Sequence, residues 1–137
     1  MTVQWPVVYR VQDRDGRGPY RPGMTDRWGD PDGHDNPSII DEFGRRMEWL
    51  EEVPAGYHCG CAFLSIDQVV RWFSPTECGR LSRLGYRLVG LRGCSLLRRS
   101  ERQAIVIRSR PFRFAAREVQ WPHIDLTAQP VVWDLVS

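Results

Sequence analysis

The stretch FLSIDQVVRWFSPTECGRLSRLGYRLVG, residues 63–90, decides the fold class because it contains two helix starts and the strand that follows them. Its clearest signal is SPTE, in which Ser74 precedes a helix, Pro75 takes the first helical position and Glu77 the third. A serine and a glutamate at these positions each accept a hydrogen bond from the other's backbone N–H, and proline suits the first turn. The pattern predicts a helix that begins at Pro75.

A second helix start lies earlier in the same stretch. Ser65 follows the apolar run AFL, and Gln68 stands three residues further on as its capping-box partner. The helix that follows Ser74 is predicted to stop at Gly85, since glycine readily adopts the left-handed conformation that ends many helices. The residues Tyr86–Gly93 are then predicted to form a strand.

Strand-like runs lie on both sides of these two helices. Runs rich in β-branched and aromatic residues, bounded by turn residues, are typical of strands. They are Val7–Val11, Cys59–Leu64, Gln103–Ser109 and, near the end of the chain, Pro130–Val136. The run CSLLRRSER, residues 94–102, indicates a turn or a short excursion, whereas FRFAAREVQW, residues 112–121, fits a strand or a short helix.

A further helix is predicted upstream, in IIDEFGRRMEWLEEV, residues 39–53. Apolar residues recur there in steps of three and four, which is the periodicity of an amphipathic helix. They are Ile40, Phe43, Met47 and Leu50.

Helices thus cluster in the middle of the chain, an order that predicts an α+β fold rather than repeated βαβ units. We expect one compact domain over residues 1–137, with a mixed or antiparallel split sheet and about three helices in the middle of the chain. The segment 13–37 is dense in Gly, Pro and Asp and is predicted to be a long loop. Long loops in compact domains are often functional.

Composition narrows the class of protein. The 137 residues fit one domain, and the 42% apolar share with six tryptophans indicates a globular chain. No apolar run of about 18 residues is found, and the first residues lack the pattern of a secretion signal. We therefore expect no membrane association and a cytoplasmic location. All 19 basic residues are arginine, yet the net charge is only +2, which argues against a dedicated DNA-binding domain.

Four cysteines raise the question of a metal site. They are Cys59, Cys61, Cys78 and Cys94. The segment HCGC at residues 58–61 offers zinc ligands, but structural zinc sites usually pair cysteines two to four residues apart, and here one residue separates them. The pattern favours reduced, buried or incidental cysteines over a zinc site, and we predict no metal.

Three short motifs point instead to a nucleotide pocket. Arg10 lies within the strand VVYR, Ser65 ends AFLS just before a helix, and Glu101 and Gln103 begin the strand in SERQAIVI. This order resembles the arginine–serine–glutamate class of ADP-ribosyltransferases over residues 7–109. The resemblance implies NAD as cofactor, with Arg10 on its phosphates, Ser65 on the nicotinamide-side ribose and catalytic residues at Glu101 and Gln103.

One of these positions departs from the family pattern. The family's catalytic residue is the second acidic one, and here it is Gln103. An amide can bind a ribose hydroxyl, but it can neither take its proton nor stabilise a cationic transition state. Either Glu101 replaces it, or the fold is retained without transferase activity.

The loop GRGPYR, residues 16–21, adds to the pocket interpretation. Its glycines allow close backbone approach, Tyr20 can stack on a flat ring, and its arginines can bind phosphate. Structural alternatives stay open for the motifs themselves. An arginine in a first strand can be a surface residue or an ion-pair partner, and Ser65 can be only a helix cap.

The second interpretation is a non-catalytic binding protein. The chain resembles small accessory proteins of phages and mobile elements, some of which inhibit host defence systems, as anti-CRISPR proteins do. Its partner would be a host protein. Tryptophan and arginine anchor many protein interfaces, and the candidates are Trp5, Trp28, Trp121, Arg98, Arg99 and Arg102. Alternatively, Trp5 and Trp121 pack in the core.

A third interpretation is binding of single-stranded nucleic acid through arginine and aromatic residues. The run LRGCSLLRRSERQ, residues 91–103, is locally basic. The near-neutral total charge argues against it.

Overall fold

A computed structural model describes residues 3–20, 23–29 and 36–122, and its architecture is the predicted α+β. In these ranges, seven strands form two antiparallel sheets. Four α-helices and one 3-10 helix lie between the second and the fourth strand along the chain. None of the helices in the described residues is long and apolar enough to cross a membrane.

The strands divide into a sheet of four and a sheet of three. Numbered along the chain, they are β1 (Val3–Trp5), β2 (Val8–Gln12), β3 (His58–Ala62), β4 (Arg87–Leu91), β5 (Cys94–Arg99), β6 (Ala104–Arg108) and β7 (Arg117–Val119). The larger sheet has the order β1-β5-β6-β3, and the smaller sheet has the order β2-β4-β7. Every pair of neighbours is antiparallel, as the prediction of a split sheet allowed.

The two sheets meet at one backbone bridge. Tyr9 in β2 and Phe63, just after β3, exchange two N–H···O hydrogen bonds of 2.7 Å. A buried cluster with residues from both sheets lies where they face each other. It consists of Val8, Ala62, Val89, Leu91, Cys94, Ala104, Val106 and Phe112.

The two helix starts predicted at Ser65 and Ser74 are confirmed. They are α1 (Thr25–Trp28), α2 (Ile39–Phe43), α3 (Ile66–Trp72) and α4 (Pro75–Arg83), with the 3-10 helix at Glu48–Glu52. Ser74 and Glu77 form the complete capping box at the start of α4. At α3 the Ser65 hydroxyl accepts from the Gln68 N–H, but the Gln68 side chain accepts from the backbone N–H of Leu64 instead of Ser65.

A second core packs α3 and α4 against the smaller sheet. Most of its buried members come from β2, β4 and the helices α1, α3 and α4, and others lie just after β3, α3 and β7. Among them are Val11, Trp28, Val69, Trp72, Phe73, Leu81, Leu88 and Trp121.

The predicted continuous helix over residues 39–53 is wrong. Gly44 breaks it with φ of 113°, and Met47 adopts the left-handed conformation before the 3-10 helix. The break has a packing reason, because the turned chain places Trp49 against Leu97 and the outward-facing residues of β6. Burial of an indole outweighs the gain from continuing an exposed helix.

The region 94–102 is also not a turn or excursion. Its first six residues form β5, which pairs with both β1 and β6 and so lies inside the larger sheet. The segment 112–121 contains the short strand β7, one of its two predicted forms. The predicted strand Pro130–Val136 lies outside the described residues.

Candidate functional site

Arg10 lies between the two sheets rather than at the surface. Side chains alternate along β2, so Arg10 points with Val8 and Gln12 toward the larger sheet. Its side chain is 9% exposed. Nη1 donates to the carbonyl of Cys61 at 2.7 Å, Nη2 to the carbonyl of Gly16 at 3.1 Å, and Nε to Oε1 of Gln12 at 3.2 Å.

The surroundings of the Arg10 guanidinium enclose it further. The Phe112 ring centroid lies 4.5 Å from its central carbon. A Cβ on Gly60 would lie 2.7 Å from Nη1, so this position of β3 accepts only glycine without displacement. Burial lowers the pKa of Arg10, and the thiol of Cys61 is the largest influence that opposes this shift. A guanidinium nevertheless stays charged in proteins.

The front loop, residues 13–20 after β2, forms hydrogen bonds with this arginine and within itself. Gln12 donates from Nε2 to the Phe112 carbonyl at 2.8 Å, and Gly16 supplies a carbonyl to Arg10. Oδ1 of Asp13 accepts from the backbone N–H groups of Asp15 and Arg17, both at 2.9 Å. Hydrogen bonds thus hold the first residues of this loop to one another and to a buried cation.

Tyr20 lies against the helices. Its hydroxyl accepts from Nε1 of Trp72 at 2.5 Å, and its ring meets Trp28 edge-on at 5.3 Å between centroids. The residue is 53% exposed, so one part of the ring faces water while the hydroxyl is turned inward. Burial of that hydroxyl raises the pKa of Tyr20 to about 12, against the opposing hydrogen bond from Trp72.

Ser65 and Glu101 are connected through one glutamine. Ser65 caps α3 by accepting from the Gln68 N–H, and Gln68 donates from Nε2 to the Glu101 carbonyl at 3.1 Å. Only the backbone of Glu101 takes part in that bond, and the residue itself is exposed.

Gln103 belongs to a polar cluster that the motifs did not indicate. It is 3% exposed, and its Nε2 donates to Oε1 of Glu42 at 2.8 Å and to the carbonyl of Pro37 at 3.3 Å. The Ser100 hydroxyl donates to the same Glu42 oxygen at 2.9 Å. Glu42 therefore places a carboxylate beside the amide, although it comes from α2, about 60 residues away along the chain. Only its place in a polar, amphipathic segment could have suggested it.

The predicted residues are thus only partly brought together. Within the described part of the chain, no hydrogen bond joins Arg10 to Ser65, Glu101 or Gln103, because its three nitrogens bind Gln12, Gly16 and Cys61.

A second buried arginine was missed by the sequence interpretation. Arg108, at the end of β6, is 3% exposed. Its Nε donates to the carbonyl of Arg92 at 3.0 Å, and its Nη1 donates to those of Pro111 and Phe114 at 2.9 and 2.7 Å. The dense repetition of arginine and aromatic residues in RSRPFRF, residues 108–114, is the signal that could have found it.

The cysteines are all free, and Cys78 and Cys94 are buried. Burial raises the pKa of the Cys61 thiol to about 11 and that of Cys78 to about 12. Across residues 3–20, 23–29 and 36–122, no three His, Cys, Asp or Glu side chains are grouped so that they could hold a metal ion.

Two of the proposed interface tryptophans are core residues. Trp28 is 2% and Trp121 9% exposed, so the interpretation of Trp28 as an exposed anchor is wrong, and Trp121 follows the core alternative. Trp5 is half-buried beneath Arg99, whose guanidinium carbon lies 5.9 Å from the ring centroid. Arg98 pairs with Glu52 on the outer face of the larger sheet.

Comparison with known proteins gives one finding. A family model described as Bacteriophage T4 Y00F protein matches residues 1–119. No curated protein and no solved structure matches the chain.

Proposed function

Since the chain belongs to the bacteriophage T4 Y00F protein family, we propose that it is a phage accessory protein that acts by binding a host protein, without catalysis. An inhibitor of a host defence complex, of which an anti-CRISPR protein is one example, fits this proposal. The observation that carries it is the enclosure of Arg10. Three of the five N–H donors of this guanidinium bind protein acceptors, a phenylalanine covers it and the residue is only 9% exposed, so it gives little access to a nucleotide phosphate, which supports a role without catalysis.

The exterior supports binding through a surface. Among the described residues, large apolar side chains remain at least two-fifths exposed at six positions, and Arg113 stacks on one of them. These positions are Val3, Tyr20, Ile40, Leu50, Tyr57 and Phe114. Exposed aromatic residues and arginines supply much of the binding energy in protein interfaces.

Reconstitution tests this proposal. The tagged chain is used to capture proteins from a bacterial lysate without NAD, and a captured protein is then purified and mixed with the pure chain. We expect a complex of fixed stoichiometry in size-exclusion chromatography with light scattering. Failure to reconstitute any complex, or transfer of ADP-ribose to the captured protein when NAD is added, would contradict the proposal.

A second candidate, an NAD-dependent ADP-ribosyltransferase-like activity, is favoured by one observation. Glu42 places a carboxylate 2.8 Å from the amide of Gln103, which is the position where the resemblance calls for an acidic residue. In this reading Glu42 supplies the charge that Gln103 lacks. Its test is nicotinamide release from NAD, measured by mass spectrometry. Activity that is lost in Glu42→Gln would support it, and no release from the wild-type chain would eliminate it.

A further inference from the structure

Exposed arginines and aromatic rings collect around one end of the larger sheet, where His58, Arg108 and Cys94 pair. This basic end consists of Arg14, Arg92, Arg110, Arg113, Tyr57 and Phe114, all of which are exposed. The buried Arg108 connects three parts of it, because it binds the carbonyls of Arg92 and Phe114 and pairs across the sheet with His58, the neighbour of Tyr57.

The front loop, residues 13–20, contacts the segment that follows β6. A Cβ on Gly16 would lie 2.9 Å from the backbone nitrogen of Arg113. Gln12 strengthens the contact by donating to the carbonyl of Phe112. Arg14 lies two residues before Gly16, in the turn that makes this contact.

The charge of this end is positive, although Asp13 and Asp15 of the front loop are only partly balanced by Arg17. The segment 108–117 contains four arginines and no Asp or Glu. In the described part of the chain, the side chains of Arg14, Arg92, Arg110 and Arg113 form no ion pair, whereas Arg17 is paired with Asp13 and Asp15. Beneath them, the hydrogen bonds of Arg10 and Arg108 go to neutral carbonyls and an amide, so these charges also add to the local potential.

Acidic residues are concentrated elsewhere. The segment Asp41–Glu52 contains five acidic residues and two arginines, and it covers the outer face of the larger sheet. The net charge of +2 therefore conceals two oppositely charged surfaces. The total charge consequently says little about which partner the basic end prefers.

The exposed rings distinguish this end from a simple cationic surface. Phe114 is 45% and Tyr57 42% exposed, and the guanidinium carbon of Arg113 lies 4.6 Å from the Phe114 ring centroid. Planar rings and guanidinium groups can stack on nucleobases, while arginine also binds phosphate in a bidentate way. An acidic peptide without aromatic residues, such as polyglutamate, would satisfy the arginines but would offer no flat partner for these two rings.

We propose that the basic end binds single-stranded nucleic acid, with the arginines on phosphates and with Phe114 and Tyr57 stacked on bases. The proposal goes beyond binding of a host protein and does not rest on it. Four exposed arginines that each neutralise one phosphate predict a slope of about −3 in a plot of log affinity against log salt concentration.

The test is fluorescence anisotropy with a labelled oligothymidylate of about 20 nucleotides at several salt concentrations. We expect binding with that slope. Phe114→Ala should weaken binding about tenfold, through loss of stacking. The double variant Arg110→Ala/Arg113→Ala should reduce the slope by about 1.4, because two phosphate contacts are lost.

Matched controls come from the acidic segment. Leu50→Ala removes an equally exposed apolar side chain, and Arg45→Ala/Arg46→Ala removes the same charge from exposed positions; both should leave binding unchanged. The thermal unfolding midpoint of each variant shows that it is folded. The proposal is overturned by an absence of binding at low salt, by equally tight binding of a DNA duplex of the same length, or by equally tight binding of a polyglutamate peptide.

Discussion

Arginine has two different roles in this chain. Between the sheets it is buried and hydrogen-bonded to the protein, whereas at the basic end it is exposed to solvent. Arg10 and Arg108 are at least nine-tenths buried and donate to backbone carbonyls of neighbouring segments. Arg110 and Arg113, two and five residues after Arg108, are exposed and form no ion pair in the described residues. Burial therefore decides whether an arginine of this chain stabilises the fold or remains available to a partner.

The comparison also shows why position in a strand is a poor guide to function. Arg10 has the sequence context of a phosphate ligand, but alternation along β2 turns it toward β3, where the carbonyl of Cys61 and the missing side chain of Gly60 accommodate it. A buried guanidinium must have acceptors, and here the protein supplies them.

The largest expected effect is that of removing the interior cation. Arg10→Ala leaves the carbonyls of Gly16 and Cys61 and the amide of Gln12 without their donor. Because each unsatisfied buried group costs about 1–3 kcal/mol, the free energy of unfolding should fall by about 3 kcal/mol or more. Urea denaturation followed by tryptophan fluorescence measures it. A loss below about 1 kcal/mol would show that Arg10 is not a structural residue.

A smaller loss is expected when the space around Arg10 is filled. In Gly60→Ala the new Cβ would lie 2.7 Å from Nη1 of Arg10 and 2.9 Å from the Phe112 ring, so the free energy of unfolding should fall by about 1–3 kcal/mol. Gly18→Ala is the matched control, because its Cβ would lie at an ordinary 3.7 Å from Nη2 of the same arginine. The control should change stability by less than about 1 kcal/mol. Equal losses in the two variants would mean that the interior is not tightly packed at β3.

The ionisation of the Cys61 thiol indicates how well the protein excludes water from this interior. Burial raises its pKa to about 11 although the charge of Arg10 acts to lower it. Between about pH 9 and pH 11, the thiol is therefore protonated in the folded state and ionised in the unfolded state. This contribution to the free energy of unfolding is present below about pH 9 and disappears as the pH rises to 11. We expect Cys61 to resist alkylation at pH 8 in the folded chain, as measured by mass spectrometry of the labelled peptides. Alkylation at the rate of the unfolded chain would contradict this.

The smallest effect is expected at the surface. Arg113→Ala removes an exposed side chain that stacks on Phe114, which is itself exposed. The free energy of unfolding should change by no more than about 0.5 kcal/mol. A loss of unfolding free energy comparable to that of Arg10→Ala would contradict the division into structural and exposed arginines.

Local signals in the sequence predicted much of the fold. The caps at Ser65 and Ser74 and the strands β2, β3, β4 and β6 follow from residue types within a few positions of each other. The strand β5 was missed because arginines and serines hide its apolar residues, and its pairing on both sides is a long-range property. The break at Gly44 likewise depends on the packing of Trp49 against residues of β5 and β6, which are distant along the chain.

The candidate site was less predictable than the fold. The position of Gln103 in the chain is local information, but its partner Glu42 comes from another element. Whether Arg10 faces a ligand or a carbonyl depends on the packing of two sheets, which no motif of a few residues encodes.

If Arg10 stabilises the fold and does not bind a nucleotide, NAD and ADP-ribose should not change the thermal unfolding of the protein. The melting temperature of the wild-type chain is measured in buffer, with millimolar NAD and with millimolar ADP-ribose. We expect the same melting temperature in all three conditions. A rise of several degrees with either ligand, as expected when a ligand is present at about 100 times its Kd, would contradict it.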